Sequence, residues 1–122
     1  MRIVATALTV AVLWGTPSIH AHHSFAMFDR TREVSLEGVV KEFQWTNPHT
    51  WIQLLVTENG KTVEWSLEGG SPSVLSRNGW KLGSLKPGDK VKIVIYPLKN
   101  GQPGGSFLEV TKDDGTKLYY HG

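Results

Sequence analysis

Three histidines fall within four positions in the stretch SIHAHHSFAMFDR, residues 18–30, as His20, His22 and His23, and another, His49, lies in the segment TNPHTW. Imidazoles so grouped point to metal binding, and the chemistry depends on where the mature chain begins. With His22 as the first residue, its α-amine and its Nδ1 can chelate one metal together, and an amine of pKa about 8 yields its proton to a metal at little cost near neutral pH. Copper(II) is the ion such nitrogen donors favour, with nickel and zinc behind it. A further imidazole, from His23 or His49, would complete a three-nitrogen site. Met27 adds a thioether and Asp29 a carboxylate to the same stretch, although Met27 is expected to pack rather than ligate.

The preceding residues argue that His22 does become a terminus. Arg2 gives a positive start, the run from Ile3 to Trp14 is apolar, and Gly15, Thr16, Pro17 and Ser18 break it ahead of a small residue, Ala21. That is the layout of a secretory signal peptide, and the run is too short to anchor the chain stably in a bilayer. Residues 1–21 are therefore expected to be cleaved as a Sec-type signal peptide, leaving residues 22–122 in the periplasm or secreted. Starting one residue earlier, at Ala21, would instead place His23 third, for an amine, two amides and an imidazole around copper or nickel.

Removing 21 residues from 122 leaves 101, one small domain with a single core. Losing Arg2 lowers the formal charge from +2 to +1, so the surface is nearly balanced and carries no nucleic-acid footprint. Cysteine is absent, which removes disulfides, thiolate chemistry and cysteine-based metal sites. Packing must supply the stability, and the mature part has four Trp, three Tyr and four Phe with which to do so.

The elements that must position these residues read as strands. Val34, Leu36 and Val40 alternate on one face, and Phe43 with Trp45 resumes one register later, predicting a bulge or bend between Gly38 and Glu42. HTWIQLLV and KTVEWSLE flank Asn59-Gly60, a strong hairpin signal. Ser71, Pro72 and Asn78-Gly79 bound a helix of about two turns by their cap, first-turn and stop chemistry. A Pro-Gly turn then leads to KVKIVIYPL, and a Gly-rich loop leads to a last strand at about residues 106–111, with TKLYYHG as a short tail. Three strands, a short helix and two strands give a mainly β fold, a small five-stranded OB-like barrel with the helix between strands 3 and 4. An open sandwich or meander of the same strands is the competing arrangement. The mature chain forms one domain, with residues 22–32 as an extended N-terminal segment.

Taken together, AHHSFAMFD, FQWTNPHTWIQL, WSLEGGSPSVLSRNGWKLGSLKPGDKV and GGSFLEV resemble an uncharacterised family of small exported bacterial proteins, domain of unknown function family 6152. The resemblance spans essentially the whole mature chain. It implies an exported, β-barrel-like module and brings no activity with it.

Two further groups of side chains are candidates. Trp45, Trp51 and Trp65, with Asn47 and Pro48 fixing the loop before His49, are expected to meet on one sheet face and to hold a small ligand or a partner. Core packing competes with that role for Trp65 and Trp80. Glu64, Glu68 and Glu109 raise acid–base chemistry, but no nucleophile or phosphate-cradling motif accompanies them. The resulting expectation is a non-catalytic exported binding or accessory module that binds copper through His22 with His49 or His23, alongside an exported redox protein or a small ligand. The alternative is a ligand-binding barrel acting through the Trp51 side without metal. More distantly, the His22 site resembles the histidine brace of copper oxygenases.

Overall fold

The computed structural model describes residues 25–121. The expected signal peptide, the cleavage site, His22 and His23 lie outside the described residues. A short 3-10 helix, Phe25–Met27, leads to strands β1 (Val34–Gln44), β2 (Trp51–Glu58) and β3 (Lys61–Glu68), helix α1 (Pro72–Arg77), and strands β4 (Lys90–Pro97), β5 (Gly104–Lys112) and β6 (Lys117–Tyr119).

The strands run β3-β2-β1-β4-β5, and a parallel pairing of β3 with β5 closes the ring. This is the OB-type order, in which β1 pairs with β4 through Val34–Val39 and with β2 through Val39–Gln44. The register of β1 against β2 shifts between Val40 and Glu42, where Lys41 is the extra residue. Val40 and Phe43 consequently both point inward, as the broken alternation of the sequence predicted. At Gly38 the carbonyl of Leu55 takes the space that a Cβ would need, so the absence of a side chain lets the two strands cross closely.

Asn59 and Gly60 both adopt positive φ, 52° and 75°, the geometry of a two-residue hairpin turn. The turn sets the register Glu58↔Lys61 through Trp51↔Glu68 and sends Ile52, Leu54, Val56 and Leu67 into the core. Ser71 caps α1 by accepting from the Val74 amide at 3.3 Å, and Pro72 opens the helix. The helix and its exit add Leu75 and Trp80 to the core, both at most 1% exposed. Trp80 packs 5.3 Å from Phe107 and 6.0 Å from Phe43, and its indole N–H donates to the Tyr119 carbonyl at 2.8 Å.

The C-terminal tail differs from expectation by forming a sixth strand. The turn at Gly115 returns the chain antiparallel to β5, and β6 takes Glu109–Thr111 on the edge that β3 leaves after Ser106. Pairing satisfies backbone groups that would otherwise form an open edge outside the ring. Among the described residues no helix is long and apolar enough to cross a membrane.

Candidate functional site

The loop between β1 and β2 is built from short local bonds. Thr46 Oγ1 donates to the His49 carbonyl at 2.7 Å, and the Asn47–Pro48 peptide bond is cis. The loop is then tied to the exit of β3: the Thr50 amide and hydroxyl both donate to the Gly70 carbonyl at 2.9 Å, and the Gly69 amide donates to the Thr50 carbonyl at 2.9 Å. Two glycines permit this approach. A Cβ on Gly69 would run into the Phe107 ring, and one on Gly70 would lie 2.8 Å from the Tyr120 hydroxyl oxygen.

His49 is thereby held against the end of β3. Its Nδ1 lies 3.1 Å from the Gly69 carbonyl and 3.2 Å from Oε1 of Glu68. A carbonyl can only accept, so Nδ1 is the donor to Gly69 and the neutral ring is assigned as the Nδ1–H tautomer. The Glu68 side chain is only 7% exposed, against 31% for His49. Tyr120, buried nearby, has its phenol pushed above the ordinary range, first by burial and then by the negative charge of Glu68.

The N-terminal segment is bonded to the end of β4 and the loop that follows it. Met27 accepts at its carbonyl from the Lys99 amide at 3.0 Å, the Asp29 amide donates to the Pro97 carbonyl at 2.8 Å, and the buried Phe28 bridges to Leu98. The same loop reaches β3, where the Ser66 amide donates to the Pro103 carbonyl at 3.2 Å. Ser66 is two residues before Glu68. Asp29 accepts from the Thr31 amide and hydroxyl, and these bonds, with Arg32 beside them, hold its carboxyl below the usual range.

The three tryptophans do not share one face, contrary to expectation. Trp65 stands opposite Leu54 and packs against the core, and Trp45 packs edge-on to Phe43 with centroids 5.6 Å apart. Trp51 instead alternates with the buried Ile52, so it lies on the outer face opposite Glu68, beside Gln53, whose amide donates to Gln44 at 2.9 Å. Asn47 is exposed in the loop. A separate groove of about 550 Å³ lies where β1 turns from β4 to β2, lined by Glu37, Val39, Leu55, Lys90, Lys92 and Thr111 among others. Its mixed charges favour no ligand class, and it does not include His49.

Residues 10–107 match a family of unknown function, DUF6152. The chain belongs to that family. No curated protein and no solved structure matches it. Membership assigns no ligand, so the geometry carries the functional reading. Of the expected site residues, the structure places His49 and Trp51 close together along the chain at one end of β2. Among the described residues no group of three or more His, Asp or Glu side chains could hold a metal. Sequence reasoning missed the pairing of Glu68 with His49. The signal was present in the hairpin: a two-residue turn at Asn59-Gly60 sets Glu68 opposite Trp51, two residues from His49.

Proposed function

We propose that this chain is an exported, non-catalytic binding module that holds copper(II) through its mature N-terminus. In this reading the signal peptide is removed after Ala21, His22 supplies its α-amine and Nδ1, and His49 supplies Nε2. The observation that carries it is the fixed orientation of His49, whose Nδ1 is committed to Glu68 and Gly69. Ligating histidines commonly donate their other ring nitrogen to a carboxylate or a carbonyl in this way. The path of the chain adds support. Phe25 lies three residues after His22, a span of at most about 11 Å when extended, and the segment that follows is bonded to the same loop that bonds Ser66 of β3. A small barrel with such a site suits delivery or buffering of copper for an exported redox protein.

The test is native and denaturing mass spectrometry of protein exported by its host and purified without chelator. A mature mass beginning at His22 with one copper retained is the expected result. Replacing His22 with Ala should abolish tight binding, and His49→Ala should weaken it. An unprocessed chain, or copper affinity that neither substitution changes, would overturn the proposal.

A second reading is favoured by the outer face of β1 and β2, where the Trp51 ring stands beside the Gln44–Gln53 amide pair. One aromatic surface with neutral amides suits a small uncharged polar ligand, with the histidines incidental. Under that reading Trp51→Ala abolishes ligand binding and His22→Ala leaves it unchanged.

A further inference from the structure

The first half of β3 is an open sheet edge, and we infer that it pairs antiparallel with the same edge of a second copy of this chain, centred on Val63. The ring closes only where Ser66, Leu67 and Glu68 pair with Gly104, Gly105 and Ser106. The two-residue turn makes Glu58 and Lys61 a hydrogen-bonded pair, so Lys61, Val63 and Trp65 bond to β2 while the backbone groups of Thr62, Glu64 and Ser66 point the other way. The Ser66 amide is satisfied, donating to the Pro103 carbonyl at 3.2 Å. Glu64 comes next in that parallel ladder, but Pro103 has no N–H to offer its carbonyl. Among the described residues no backbone bond reaches the outward groups of Thr62 or Glu64. Thr62, Val63 and Glu64 are all exposed. The outer edge of β6 is shorter, and there the Tyr119 carbonyl already accepts from Trp80.

The side chains suit a second copy. Val63 stands opposite the buried Val56 and Trp65 opposite the buried Leu54, so they continue the inner face, yet Val63 is 37% exposed where the ring stops. Outward backbone groups must meet outward groups, and the register follows by elimination. Centring on Glu64 sets two carboxylates directly opposite and brings Thr62 against Ser66, whose amide is taken. Centring on Thr62 brings Glu64 against Gly60, inside the turn. Centring on Val63 lets Thr62 of each copy exchange both N–H···O bonds with Glu64 of the other, and sets the two valines at the closer, non-hydrogen-bonded spacing. Lysine on a strand edge commonly guards against pairing. Here Lys61, which forms no ion pair among the described residues, falls opposite Trp65 of the second copy, an ammonium beside an indole. Glu64 is neutralised within its own chain by Lys41 at 2.8 Å. A strand pair this short buries less than the roughly 1,200 Å² of a stable interface, so the dimer dissociates on dilution.

The experiment is sedimentation velocity of the purified, metal-free chain from micromolar to millimolar concentration. The wild type should dimerise reversibly. Val63→Lys and Val63→Glu each place like charges at the two-fold centre and should sediment as monomers. An equimolar mixture of the two should recover the dimer, because lysine then faces glutamate, and mixing would not reverse a mere loss of folding. Should either charged variant not fold, Val63→Cys supplies a second readout in a chain with no other cysteine. Mild oxidation should give a covalent dimer from Val63→Cys and none from Thr62→Cys, whose side chains would sit on diagonal positions about 7–8 Å apart, beyond disulfide reach. A wild type that is monomeric at every concentration would overturn the inference and leave the edge to a strand of another protein. A dimer that both charged variants preserve, or equal cross-linking at positions 62 and 63, would overturn it as well. The pairing goes beyond the copper reading and is independent of it, since none of these readouts involves metal.

Discussion

The Phe107 ring fills the space in which a side chain on Gly69 would begin, and the Thr50 hydroxyl oxygen closes the same space at 2.7 Å from the Cβ position. Both neighbours belong to the packed interior, with Phe107 and Thr50 fully buried. Gly69→Ala must therefore displace the core ring or the backbone that carries the His49 acceptor. Overpacking of this kind costs about 1–3 kcal/mol, and the rigidity of both neighbours places the expected loss towards the upper end. Thermal unfolding checks it, and a variant as stable as the wild type would show that the loop is not clamped as described.

Trp80 joins the helix exit to the far end of the chain through its bond to the Tyr119 carbonyl. Trp80→Ala removes a fully buried indole and is expected to cost about 3–5 kcal/mol, a large share of the stability of a domain this size. Trp80→Phe keeps a ring between Phe43 and Phe107 but leaves the Tyr119 carbonyl without its donor, so a smaller loss is expected, accompanied by faster hydrogen exchange in β6. Denaturant unfolding and amide exchange separate the two effects.

Tyr120 offers a pH signature of the candidate site. Its folded pKa is raised above the ordinary value of about 10, by burial first and by Glu68 second. A raised pKa means that the unfolded chain releases this proton first. The stabilising contribution is thus complete below about pH 10 and is lost as pH rises through the folded value. Glu68→Gln removes the second cause alone, so it should lower the Tyr120 midpoint without bringing it back to the ordinary value. Carbon chemical shifts of the phenol ring measure this, and a midpoint indifferent to Glu68 would mean that the carboxylate is not close to Tyr120.

Much of the fold was legible because local chemistry set it. The change of alternation between Val40 and Phe43 located the bulge, Asn59-Gly60 located the hairpin, and Ser71-Pro72 located the helix start. Register carried across strands is not set by such local chemistry. The two-residue turn pairs Trp65 with Leu54 and Trp51 with Glu68, an odd offset that places the two tryptophans on opposite faces. Applied to the sequence, the same count would have brought Glu68 beside His49. The burial of Glu68 was not legible, since it arises from the close approach of the His49 loop and Tyr120, which no local pattern encodes. The sixth strand was equally hidden: three residues of tail become a strand only because β5 outruns β3 and leaves an edge to pair.

The bulge in β1 makes a sharper prediction than any single substitution, because it distinguishes the number of residues from their identity. Val40 points inward, Lys41 and Glu42 together oppose Gln53, and Phe43 points inward again. Deleting Lys41 leaves Val40, Glu42 and Phe43 in plain alternation, so every apolar side chain keeps its face. What is lost is the bend by which β1 passes from β4 to β2, together with the 2.8 Å pair between Lys41 and Glu64, both of which are exposed. That deletion should give a folded barrel of lower stability. Deleting Val39 removes the same number of atoms from the backbone but moves Lys41 into the place where Val40 packs. A buried, unpartnered ammonium costs on the scale of the whole folding free energy, so this variant should not fold. Dispersion of the amide spectrum compares the two directly. Equal tolerance of both deletions would mean that Val40 does not face the core as described.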